Sequence, residues 1–82
     1  MLWFLVVSVL LLENSESHAY IVYDPVFETV DECQQYAIIN APLVQQSIIE
    51  EYKGKAFQLR GAICAKQNIV EDILNNSRAY QN

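Results

Sequence analysis

The chain opens on an apolar run, Leu2 to Leu12, interrupted only by Ser8. No other feature restricts the fold as much. Its 11 residues are too few to cross a bilayer as a helix, which takes about 20. They fit the roughly 7 to 15 apolar residues of a signal-peptide core. The polar stretch Glu13-Asn14-Ser15-Glu16 follows, and then Ser17-His18-Ala19. Ser17 and Ala19 are small, as a signal peptidase needs at the third and first positions before its cut. The expectation is a helical signal peptide over residues 1–19, cleaved between Ala19 and Tyr20. Two readings compete with it, because no Lys or Arg precedes the run and two glutamates follow it. One is an uncleaved anchor that keeps the protein at a membrane. The other is a buried helix of a cytosolic protein. With cleavage, Trp3, Phe4 and His18, the only histidine, take no part in the mature fold.

Such a cut leaves 63 residues, Tyr20 to Asn82, enough for one domain. A chain that short buries only about 60% of its unfolded surface, so a covalent staple matters. Cys33 and Cys64 are the only cysteines. An even count in a short exported chain reads as a disulfide. Zinc would need four ligands, and two cysteines without a mature histidine do not supply them. The CxxC spacing of a redox pair is absent.

Tyr20-Ile21-Val22-Tyr23 is β-branched and aromatic and reads as a short strand, ended by Asp24-Pro25. Thr29-Val30-Asp31-Glu32 has the capping-box form and starts a helix running to about Asn40. Cys33, Tyr36, Ala37 and Asn40 share one face of it, widened by Ile38 and Ile39. Pro42 starts a second helix, with Val44, Ile48 and Tyr52 on its apolar side and Gly54 as a left-handed cap. Ala56 to Ala65 reads as a second strand. Phe57, Leu59 and Ile63 lie on one side of it and Cys64 on the other, so a bulge near Gly61 or a strand end is needed to turn Cys64 inward. Ile69, Val70, Ile73 and Leu74 mark a third helix over 67–75. The expected fold is a small α+β domain over 20–76: a two-stranded sheet covered by three helices, in the order β-α-α-β-α, with a flexible tail over 77–82.

Few residue types for chemistry remain in that domain. Without histidine, Ser-His and Cys-His nucleophiles are unavailable. A glycine-rich phosphate loop and a calcium loop are both missing. Asp31 and Glu32 are candidate catalytic carboxylates, but the cap accounts for both. Glu50-Glu51 and Glu71-Asp72 lie on polar helix sides, where neighbouring residues diverge. The formal charge is -5. Lys53, Lys55, Arg60, Lys66 and Arg78 read as scattered, which argues against nucleic acid as a partner. No cofactor or metal site is expected. Tyr20, Tyr23, Tyr36 and Tyr52 form a candidate binding patch, since tyrosine is common at interfaces; core or boundary packing is the reading that outweighs it.

The features Tyr20, Tyr23, Phe27-Glu28-Thr29, Asp31-Glu32-Cys33 and Ile63-Cys64 make the chain resemble small, uncharacterised signal-bearing proteins of bacteria and their phages. That resemblance implies export and one disulfide, and no activity. The functional expectation is a non-enzymatic interaction module, periplasmic or secreted, that binds a protein or envelope component. The alternative is an accessory protein tethered to the membrane by its first residues.

Overall fold

Three β-branched valines, Val6, Val7 and Val9, crowd the opening run, and this composition favours extended backbone. In a computed structural model, which describes residues 2–76 and 79–81, that run is strand β1 (Trp3–Leu11). The polar stretch after it is a hairpin turn. The Asn14 side chain accepts from the Glu16 amide at 3.1 Å, and Ser15 takes the left-handed φ of 59°, as tight turns between strands require. Strand β2 (Glu16–Phe27) returns antiparallel to β1. Helices α1 (Val30–Ile39) and α2 (Ala41–Glu51) follow, then strand β3 (Phe57–Lys66), helix α3 (Gln67–Asn76) and the short strand β4 (Ala79–Gln81).

The sheet order is β3-β1-β2-β4. The first three strands form an antiparallel sheet with β1 in the middle, and β4 adds to β2 in parallel. Both faces of β1 are covered. On one, Leu5, Val7, Val9 and Leu11 pack with Tyr20, Val22 and Phe27 beneath Cys33 of α1 and Ile48 of α2. On the other, Phe4, Val6 and Ile21 pack with Ala65 and with Val70 of α3. Alternation is therefore invisible in β1, because both sets of side chains are apolar.

These observations correct the expected fold. The sheet has three antiparallel strands rather than two, in the order β-β-α-α-β-α, and the apolar run is its central strand rather than a signal helix. The expected cleavage point, Ala19–Tyr20, lies inside β2, paired to Ser8 and Val7. A cut there would detach β1 and leave β3 without its neighbour, so the folded domain includes the segment read as an export address. The tether reading meets the same obstacle, since the side chains it would place in lipid are packed within the sheet. Among the described residues no helix is long and apolar enough to cross a membrane. Strand β2 continues through Asp24-Pro25 because the pairing is irregular there: Leu5 faces Val22 while Trp3 faces Phe27. Proline is tolerated at such a break. Of the expected tail, Ala79–Gln81 form β4, while residues 77, 78 and 82 lie outside the described residues.

Local signals in the rest of the chain agree with the structure. Thr29 caps α1, its hydroxyl oxygen accepting from the Glu32 amide at 3.1 Å. The Glu32 carboxylate receives the Thr29 hydroxyl, at 3.2 Å, rather than the Thr29 amide. Thr29→Ala is expected to cost about 1 kcal/mol; urea unfolding checks it, and an unchanged midpoint would remove the cap from the account. Gly54 has φ 85°, the left-handed conformation glycine adopts most cheaply after a helix.

The Cys33–Cys64 disulfide joins the first turns of α1 to β3, with 6.1 Å between Cα atoms. A bulge makes this reach. Ser8 faces Gly61 and Val9 faces Leu59, so Arg60 is the extra residue. Beyond it the parity of β3 reverses, and Cys64 sits opposite Leu5 on the α1 side.

Candidate functional site

Strand β3 stands at one edge of the sheet. One side of its backbone pairs with β1, and among the described residues no strand pairs with the other. Its neighbour β1 is almost wholly buried, whereas most of β3 is exposed. Gly61 and Ala62, in mid-strand, present almost no side chain; a Cβ built at Gly61 meets nothing within 4 Å. Ile63 is 57% exposed, because α3 covers only the end of that face nearest Phe4 and Ala65.

Beside this edge, α1 and α2 leave a groove. One hollow, of about 270 Å³, is lined by Val7, Val44, Ile48 and Leu59, with Arg60 at its rim. A neighbouring hollow of about 520 Å³ reaches Gln34, Ile38 and Ile63. The two share Leu5, Ala37 and Ala62, so they form one continuous trough along β3. Its floor is aliphatic, and among the described residues Arg60 is its only charged lining residue. The bulge that turns Cys64 inward also places Arg60 at this rim.

An arrangement of this kind can accept an extended chain. Unpaired strand amides and carbonyls hydrogen-bond to added backbone, and a neighbouring apolar trough accepts every second side chain. Catalysis has fewer parts to draw on. Asp31 and Glu32 are exposed at the start of α1, and Glu50, Glu51, Glu71 and Asp72 lie on the outer sides of α2 and α3. Among the described residues no three His, Cys, Asp or Glu side chains gather as metal ligands would.

The tyrosines do not make the expected patch. Tyr20 and Tyr52 are core residues, 2% and 1% exposed. Tyr20 and half-buried Tyr36 line a small hollow of about 190 Å³ between β2 and α2. Tyr23 packs on the opposite sheet face, its ring 5.6 Å from that of Phe4. The Tyr52 ring lies tilted against that of Phe57, with 5.5 Å between centroids, and 6.1 Å from the buried His18 ring. In the core these rings fill space between sheet and helices beside Leu5, Leu11, Phe27 and Ile48.

His18, expected to leave with the signal peptide, is packed in the fold. It is buried, with Nε2 3.3 Å from Glu16 Oε2. Sequence reasoning also missed the trough. The exposed Ile38 and Ile39, at 72% and 70%, were expected in the core stripe; instead Ile38 flanks the trough. Their place depends on the sheet lying below Cys33 and Tyr36, and helical spacing alone does not state it.

Scans of family models, curated proteins and solved structures each returned no match to this chain.

Proposed function

We propose that this protein is a non-enzymatic interaction module that captures an extended segment of a partner protein by adding it as a strand to β3. The observation that carries the reading is the open ten-residue edge beside an apolar trough. Affinity would come from main-chain hydrogen bonds, and selectivity from alternate side chains seated against Leu5, Val7 and Leu59. The disulfide supports an oxidising compartment outside the cytosol as the place of action. Export would have to deliver the chain with β1 intact.

Selection from a displayed library of unstructured peptides, with the oxidised full chain as bait, tests this. Selected peptides are expected to alternate apolar and polar residues. They should shift the backbone amide resonances of Phe57–Lys66 and of the α1 face that lines the trough. Peptides that shift other surfaces alone, or a library that yields no binder, would overturn the reading.

A further inference from the structure

Charge along this chain is strongly divided. Residues 1–52 hold eight carboxylates and no Lys or Arg, while all five basic residues follow Tyr52. No acidic residue occurs from Tyr52 to Val70. The sequence spacing looked scattered, but four of the five cations lie in β3 or in the turn that leads into it. Lys53 and Lys55 flank Gly54 in the turn that leads into β3. Arg60 stands at the bulge on the trough rim. Lys66 ends the strand, its Nζ 5.4 Å from the centroid of the Trp3 ring. Among the described residues no carboxylate lies within ion-pair distance of these four.

We infer that the segment taken by the β3 edge is acidic: an extended stretch of a partner protein whose carboxylates fall opposite Lys55, Arg60 and Lys66. This rests on the strand-addition reading and names the chemistry of its partner. The three cations are five and six residues apart, or about 16–20 Å along an extended strand. That exceeds the Debye length of about 8 Å at physiological salt, so each acts as a separate contact. The partner therefore carries isolated carboxylates at intervals of five or six residues, with apolar side chains between them to enter the trough. The same cations disfavour a second copy of β3, since self-pairing would gather like charges on one seam. A nucleic acid is the weaker fit. It would use the cations but leave the strand's amides and carbonyls and the aliphatic trough unmatched, and half-buried Phe57 is the one aromatic residue of β3 on which a base could stack.

Three synthetic peptides of about ten residues, alike in an alternating Val/Thr frame, carry Glu, Gln or Lys at two positions five residues apart. Their binding to the oxidised full chain is measured by fluorescence anisotropy at low and at physiological salt. An oligothymidine of similar length is the further probe, and amide shifts locate each complex. At low salt the Glu peptide is expected to bind about tenfold more tightly than the Gln peptide, the order expected of two exposed ion pairs. The Lys peptide should bind more weakly than either, and added salt should narrow the differences. Arg60→Gln combined with Lys55→Gln should abolish the Glu advantage, so that the variant binds the Glu and Gln peptides equally. Equal binding of all three peptides at β3 would overturn the acidic preference while leaving strand addition standing. Tighter binding of the oligothymidine than of the Glu peptide would also overturn it. Absence of any peptide-induced shift in β3 would overturn strand addition itself.

Discussion

A chain that begins at Tyr20 will not fold. It lacks β1, whose Phe4, Leu5, Val6, Val7, Val9 and Leu11 are all buried. Burial of six such side chains contributes on the order of 9–18 kcal/mol as an upper bound. The net stability of a small domain is only about 5–15 kcal/mol. The loss is also topological. Strand β3 pairs only with β1 on its inner side, and β2 pairs with β1 along most of its length. Without β1 the remaining strands share no ladder except the three-residue pairing of β2 with β4. The expected result is a chain without near-ultraviolet circular dichroism and without a cooperative urea transition, beside an oxidised full chain that has both. A cooperative transition in the shortened chain, with the same near-ultraviolet spectrum, would show that β1 is dispensable.

Reduction of the Cys33–Cys64 bond, or its replacement by alanines at both positions, is the second large effect. The bond closes a loop with a sequence separation of 31. Chain-entropy arguments assign such a loop about 3–4 kcal/mol. For a domain of this size the melting temperature should fall by on the order of 10–30 °C. Cys33 is fully buried, so replacement also leaves unfilled space between α1 and the sheet, and reduction of the native chain separates that contribution from the bond's. Equal melting of the oxidised and reduced chains would remove the staple from the stability argument.

Much of the second half of the fold was legible in the sequence. The cap at Thr29, the break before Pro42, the glycine at position 54 and the stripe around Val70 are local signals. Each acts within a turn or two of helix, so neighbours along the chain reveal it. The bulge was legible as one of two ways to turn Cys64 toward the face of Phe57 and Leu59, the other being a strand end, and the structure takes the bulge, at Arg60. Strand β1 was not, for a physical reason. A central strand covered on both sides shows no alternation, and an apolar run of its length looks the same to a periodicity test whether it ends in a sheet, a helix or a membrane. With β1 read as a leader, the centre of the sheet was lost, and a surface patch stayed open as the lesser reading of Tyr20 and Tyr52. The open edge was hidden for a related reason. Lys55, Arg60 and Lys66 form a row only after β3 is known to stand at the margin, and the trough exists only between β3 and helices distant in sequence.

The path of the chain has a consequence for its birth. Strand β1 leaves the ribosome ahead of the other strands, and it meets β2 at once through a four-residue turn. Its other neighbour begins only at Phe57, after both helices of the crossover have been synthesised. For that interval one flank of the most apolar strand is bare, and a long-range pairing of this kind closes slowly. Nascent molecules are therefore most exposed to aggregation, and to any chaperone that binds greasy extended chain, between translation of Leu11 and translation of Lys66.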